Sequence, residues 1–309
     1  MTGRVMTVLG PVNVESLGIL DAHNHVWIDP PQGVAPGAPV LREFEAIAAE
    51  LGDFRASGGA AQVDCQPAGC GRDGRRLRAL SEVSGVHIVA ITGAHLPRYY
   101  PPEAPIWQMN AEEAQEYFVR EIQHGLEETR EAEPVFPGLI KIAAQENLKS
   151  SPLELFEAAA QASRTTSIAI AIHSERGQAV EDILRFMVSA GADPARLIFC
   201  HVDKRPDIGL HRELASEGVL LEYDTFCRPK YHPKENLWHL IEALLRDGFS
   251  SRVALASDLA DGSQWQRSGG GPGIARFASE IPARLASMEV DPEAMSALIG
   301  GNMAHRLAM

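Results

Sequence analysis

Short apolar runs recur along the chain, and each is followed by a stretch long enough to hold a helix. The runs occupy residues 18–21, 61–64, 86–93, 139–143, 167–173, 196–201, 219–224 and 252–258. Between them, segments 44–57, 74–83, 111–133, 152–163, 178–190, 208–216 and 237–247 carry apolar positions at helical spacing; 282–288 and 292–298 close the chain as two more helices. The runs are continuously apolar rather than alternating, the pattern of parallel strands covered on both faces. Eight such strand-helix units predict an α/β fold, a (β/α)8 TIM barrel, whose core takes about 250 residues. A doubly wound sheet would carry a glycine-rich phosphate turn after its first strand. Here the glycine cluster, Ser268-Gly269-Gly270-Gly271-Pro272-Gly273, follows the last strand and lacks the Lys-Ser/Thr of a phosphate loop. It reads as a mobile surface loop, with a lid as the alternative. Residues 1–309 are expected to form one barrel domain.

Composition narrows the setting. Hydrophobic residues make up 45% and charged residues 22%, ordinary globular usage that excludes a low-complexity chain. The formal charge of −13 argues against nucleic acid and anionic membranes as partners. No run of about 18 apolar residues is present to span a bilayer, and Met1-Thr2-Gly3-Arg4-Val5-Met6 lacks the apolar core of a signal peptide. The four cysteines, Cys65, Cys70, Cys200 and Cys227, have no zinc-finger spacing and read as reduced, buried hydrophobes. A cytoplasmic protein is expected.

Candidate chemistry collects at the C-terminal ends of the predicted strands, the face where barrel active sites are built. His23 and His25 follow the first strand; two residues apart on extended backbone, their side chains fall on one side, as a metal site needs. His173 ends the fifth strand, His201 the sixth and Asp258 the eighth. Taken singly, a histidine there is as readily a hydrogen-bonded structural residue, and an aspartate a helix N-cap. Five together, with a lysine inside an apolar strand, are harder to explain that way. Lys141, flanked by Leu139, Ile140, Ile142 and Ala143, would lose its hydration if it pointed inward. Either it snorkels to the polar side, or it is carbamylated by carbon dioxide. Carbamylation would turn the cation into an anionic ligand able to bridge two metals about 3.5–4 Å apart.

Several stretches resemble, in order, the phosphotriesterase family of the amidohydrolase superfamily and its phosphotriesterase-like lactonases. They are Gly3-Arg4-Val5-Met6-Thr7-Val8-Leu9-Gly10-Pro11, the His-x-His, Val63-Asp64, Gly71-Arg72-Asp73, and Val86-His87-Ile88-Val89 with Thr92-Gly93. Gly138-Leu139-Ile140-Lys141-Ile142 and the terminal Asn302-Met303-Ala304-His305-Arg306 complete the series. The resemblance implies two divalent metal ions, zinc with manganese, cobalt or iron as substitutes. It assigns His23, His25 and Asp258 to the more buried metal, and His173 and His201 to the more exposed one. Carbamylated Lys141 and a hydroxide would bridge them. It also implies a homodimer.

The implied reaction is ester hydrolysis by the bridging hydroxide, whose proton Asp258 accepts and passes to the leaving group or to His201. The implied substrate is a small-molecule lactone or ester. His173-Ser174-Glu175-Arg176-Gly177 and Gly271-Pro272-Gly273 resemble the branch that opens sugar-type lactones. In members acting on phosphorylated lactones, a lysine after strand seven and an arginine past the strand-eight aspartate hold the phosphate. Lys230 fits the first role, but Leu259-Ala260-Asp261 brings an acid where the arginine should be, so an unphosphorylated lactone is expected. His95, Arg228, Lys230 and Tyr231, with Trp27 and Trp265, are candidates for the substrate pocket.

Three alternatives stand beside the lactonase. One is an organophosphate triester hydrolase. Another is a TatD-like metal nuclease, for which Glu would replace Lys141 and which the −13 charge argues against. The third is a non-catalytic barrel serving as a binding protein, which would be free to lose some of the six residues all present here.

Overall fold

The computed structural model describes residues 3–309. Two short strands, β1 (Arg4–Thr7) and β2 (Gly10–Asn13), pair as an antiparallel hairpin. Parallel strands follow: β3 (Ile19–Asn24), β4 (Gly59–Asp64), β5 (His87–Val89), β6 (Ile91–Gly93), β7 (Leu139–Ala143), β8 (Ile170–His173), β9 (Leu197–Cys200), β10 (Leu220–Tyr223) and β11 (Val253–Leu255). The helices between and after them are α1 (Phe44–Ala56), α2 (Gly74–Ser84), α3 (Ala111–His124), α4 (Leu153–Thr166), α5 (Val180–Ser189), α6 (Ile208–Ser216), α7 (Leu237–Arg246) and α8 (Ala275–Ser287). Two short ones, α9 (Pro292–Ser296) and α10 (Asn302–Leu307), end the chain.

The predicted strand 86–93 is divided at Ala90, because its first half pairs with β4 and its second with β7. The ladders therefore run β3-β4-β5 and β6 through β11. Their free edges meet where the Asp258 N–H donates to the His23 carbonyl and the Ser257 N–H donates to Asp21 Oδ1, both at 2.9 Å. The ring of eight is the (β/α)8 barrel.

Strand alternation sorts side chains between the barrel interior and the helix layer. In β7, Leu139 packs inside while Ile140 and Ile142 pack against the helices, so Lys141 shares the inward face. In β10 the same rule sends Glu222 inward between Leu221 and Tyr223. The lower end of the interior is filled by the hairpin, the helical turn after it and the C-terminal helix: Val5, Leu17, Met303 and Leu307 pack beneath Leu20, Leu139 and Leu220. Polar side chains are left to gather at the other end. Gly93 (φ 113°) runs so close to β7 that a Cβ would lie 1.9 Å from the Lys141 carbonyl oxygen, and only glycine fits there. Behind β6, buried Arg72 donates to both carboxylate oxygens of Glu121, at 2.6 and 2.9 Å, and to Glu128; Thr92 donates to Glu121 as well. These bonds fix α3 to the barrel.

Some local expectations change. The helix expected over 111–133 stops at His124, because Gly125 (φ 90°) turns the backbone away. The helix expected to start at Pro282 starts at Ala275, and the proline lies inside α8. The Gly-rich segment is not a loose loop. Buried Glu50 on α1 accepts the Arg267 N–H at 2.7 Å and the Ile274 N–H at 3.1 Å, tying down both flanks of the segment. No helix among the described residues is long and apolar enough to cross a membrane. Cys65, Cys70 and Cys200 are buried free thiols, and Cys227 is half-buried.

Candidate metal centre and its cavity

The ladder register of β3 shifts between Asp21 and Asn24. Such irregularities re-aim side chains. Asn24 donates to Gln62 Oε1 at 2.8 Å and accepts the Leu259 N–H at 3.0 Å, which anchors the segment between the two histidines. The His23 and His25 rings lie 5.6 Å apart, and the His201 ring lies 4.8 Å from both His23 and His173. Asp258 Oδ1 stands 3.9 Å from His23 Nε2 and 3.7 Å from His25 Nε2. Lys141 Nζ is 3.2 Å from His23 Nε2 and donates to the Cys65 carbonyl at 3.1 Å. All six residues singled out in the sequence are thus in one place. His201 (φ 66°) and Asp258 (φ 48°) are held in the left-handed region, a strain that functional sites often carry.

Three of the rings are oriented by a partner on Nδ1. His23 Nδ1 donates to Glu222 Oε2 at 2.9 Å, His25 Nδ1 to Gln66 Oε1 at 2.8 Å, and His201 Nδ1 to Asp224. The Gln66 amide nitrogen donates to the Cys70 carbonyl, which fixes its oxygen toward His25. With the proton on Nδ1, each ring keeps a bare Nε2, and all three rings line one cavity. Burial pushes His25 and His173 down to about 3 and holds His23 and His201 below the usual imidazole range. Neutral rings are what a cation requires.

Other groups around the centre carry uncompensated polarity or fixed charge. His173 leaves both ring nitrogens buried without a hydrogen bond, the Glu175 carboxylate standing 3.6 Å from its Nε2. Lys141 is fully buried with no carboxylate at ion-pair distance among the described residues. Asp258 Oδ2 accepts from Arg228 Nη2 at 2.6 Å and lies 3.7 Å from Lys204 Nζ. Against its burial, the Arg228 charge holds the Asp258 carboxyl down at about 2. Imidazole nitrogens and a carboxylate suit borderline divalent cations, and the ligand atoms of His23, His25 and Asp258 lie within 4.8 Å of one another.

The cavity measures about 290 Å³ and is lined by His95, Arg228, Lys230 and Tyr231 as well as by the histidines and Asp258. Trp27 and Trp265 are not part of it. Trp265 is fully buried and donates from Nε1 to the Leu259 carbonyl at 2.9 Å, while Trp27 packs in the core with the Arg76 guanidinium 5.3 Å from its ring. The Gly-rich segment 268–273 contributes no lining residue, so a lid role has no support. Asp261 also stays outside the lining: it is exposed and caps the Ser263 N–H at 2.8 Å.

Sequence reasoning missed Arg98 and Lys204, which line the cavity, and the orienting groups Glu222, Asp224 and Gln66. Glu222 and Asp224 carried the same signal as Lys141, charge inside an apolar run. Gln66 carried none.

Comparison with known proteins agrees with this architecture. The model of the phosphotriesterase family matches residues 3–286. The chain is 28% identical over 313 residues to N-acetyltaurine hydrolase of Rattus norvegicus, covering 87% of this chain and 88% of the relative. It is 27% identical over 272 residues to the phospho-furanose lactonase of Mycoplasmopsis synoviae, covering 82% and 75%. A lactonase structure from Listeria monocytogenes superposes with a TM-score of 0.88 over 99% of both chains at 21% identity. An amidohydrolase structure from Mycoplasma synoviae does so with 0.90 over 100% of this chain and 92% of that one, at 24% identity. With the barrel shared and the family's model matched over most of its length, the chain is a hydrolase of the phosphotriesterase family.

Proposed function

We propose that the protein is a metal-dependent lactonase that adds water across the ester of a lactone ring. The observation that carries this reading is the convergence of His23, His25, His173, His201, Asp258 and Lys141 at one cavity, three of the rings with bare Nε2 nitrogens. Similarity to a phospho-furanose lactonase supports the substrate class.

In this reading His23, His25 and Asp258 would hold one cation and His173 and His201 a second, and Lys141, once carbamylated, would add an anionic ligand. Two cations of the zinc, manganese, cobalt or iron type would acidify a water and polarise the ester carbonyl. Arg228 and Lys204 keep Asp258 ionised and fix its Oδ2, so the carboxylate stands ready for the proton of the attacking water. From Asp258 the proton passes to the leaving oxygen, since His201 Nδ1, 3.8 Å from Asp258 Oδ2, already carries the proton it donates to Asp224. Arg98, Lys204, Arg228 and Lys230 outnumber Glu175 and Asp258 around the cavity, which favours a lactone bearing an acidic group.

The test is a turnover screen of protein loaded with zinc or manganese. Neutral sugar lactones, phosphorylated lactones, an aryl phosphotriester and N-acetyltaurine are compared. Lactones are expected to turn over fastest, with about two metal ions per chain by elemental analysis. Faster phosphotriester cleavage would put the organophosphate alternative in its place, and faster amide cleavage would do the same for the N-acetyltaurine reaction. Absence of both metal and turnover would favour a binding protein.

A further inference from the structure

A fifth histidine lines the cavity with its polarity reversed. His95 follows β6 after Gly93 and Ala94 and is buried. Its Nδ1 accepts the Leu96 backbone N–H at 2.7 Å. A backbone N–H can only donate, so Nδ1 carries no proton and the ring must carry its proton on Nε2. The His95 backbone N–H donates to Tyr100 Oη at 2.9 Å, and the Tyr99 ring meets the imidazole edge-on at 4.7 Å, so backbone and ring are both held. Nε2 has no hydrogen-bond partner among the described residues, and the ring stands beside His173 with centroids 5.0 Å apart. His23, His25 and His201 keep bare nitrogens at this cavity; His95 keeps an N–H.

A lone pair suits a cation, and a fixed N–H suits an oxygen that gains negative charge. We propose that His95 is a catalytic hydrogen-bond donor whose Nε2–H binds the substrate's carbonyl oxygen as it becomes an oxyanion. The proposal rests on the lactone-opening reading above. The oxygen of the attacking water bonds to the carbonyl carbon, and the carbonyl π pair moves onto the oxygen facing His95. The proton of the water goes to Asp258. When the carbonyl re-forms, the ring C–O bond breaks and the leaving oxygen takes that proton. The proton on His95 Nε2 stays in place throughout, because the ring acts by donation and not by transfer. Preorganised donors of this kind stabilise the transition state without reorganising at the moment of reaction.

Two measurements test the assignment. Long-range proton–nitrogen NMR of ¹⁵N-histidine protein loaded with zinc reads the tautomer, the His95 signals being those absent from His95→Gln. A bare Nδ1 and a protonated Nε2 are expected at neutral pH; the opposite tautomer or an imidazolium overturns the proposal whatever the substrate proves to be. The second compares His95→Phe, which keeps the ring and loses the donor, with His95→Gln, which keeps an N–H. Both should retain metal content and thermal stability. In His95→Phe kcat should fall by about 10²–10³-fold with KM little changed, the loss typical of one oxyanion donor, and His95→Gln should recover part of it. Unchanged kcat in His95→Phe overturns the proposal. If the wild type opens no lactone, the lactonase reading fails, and the same pair is compared on whichever class of the screen it does cleave, since phosphoryl and amide oxygens gain charge in the same way.

Discussion

Glu222 Oε2 lies 2.9 Å from His23 Nδ1, and both side chains are sealed inside the barrel. The pair joins the first and seventh strands of the ring and fixes which nitrogen of His23 is free. Glu222→Ala should therefore weaken metal binding by about 10–100-fold in chelator competition, as loss of a ligand's orienting partner does. Glu222→Gln, which still offers an oxygen to Nδ1, should lose less. Equal affinities across wild type and both variants would mean that His23 is not a ligand.

Lys141 is the buried amine without a carboxylate. If carbon dioxide converts it to an anion, chelated protein reloaded with zinc should take up more metal with bicarbonate than in carbon-dioxide-free buffer. Lys141→Ala should load poorly in both. Bicarbonate-independent loading of the wild type would exclude the carbamate.

Asp258 is gripped at Oδ2 by Arg228 and turns Oδ1 toward His23 and His25. Asp258→Asn keeps an oxygen for the centre but cannot take a proton there. Turnover should fall by about 10²-fold or more, with a smaller loss of metal. Turnover equal to that of the wild type would remove Asp258 from the reaction.

Acid should destabilise the metal-free protein through its histidines. His25 and His173 are held down at about 3 by burial, against an unfolded value of 6.5. Below pH 6.5 the unfolded chain binds protons that the fold refuses, so stability falls toward pH 3, by up to about 1.4 kcal/mol per pH unit for each ring. Asp21 and Asp64, pushed up to about 7 by burial, act in the opposite sense, their contribution growing as pH falls from 7 toward 3.8. The difference between wild type and His173→Gln isolates one ring: the variant's thermal midpoint should decline less steeply with acid. Parallel curves would show that His173 is not held neutral.

Arg72 and Glu121 form a buried ion pair beside the barrel, and neither lines the cavity. Glu121→Ala leaves the guanidinium short of a partner and should cost about 3–5 kcal/mol in urea unfolding. A cost under 1 kcal/mol would mean that Glu128 alone satisfies it.

Much of the fold and half of the site are legible in the sequence. A strand buried on both faces must be apolar throughout, so all eight barrel strands stand out as local runs. A lysine in such a run, or a histidine at its end, marks itself as an exception. Pairing across the barrel leaves no such local mark. Glu222 and His23 are 199 residues apart in sequence, and their contact exists only once the ring of strands closes. The same holds for Glu50, which pins the Gly-rich segment from the far end of the chain, and for Asp261, which caps its own turn and stays out of the cavity. Trp27 and Trp265 read as pocket aromatics because burial cannot be seen in a loop sequence. Residue identities and hydrophobic period, which are properties of the chain itself, determined the barrel and the six convergent side chains. Which nitrogen each imidazole presents, and which charges surround Asp258, depended on neighbours that only the folded barrel brings within hydrogen-bonding reach.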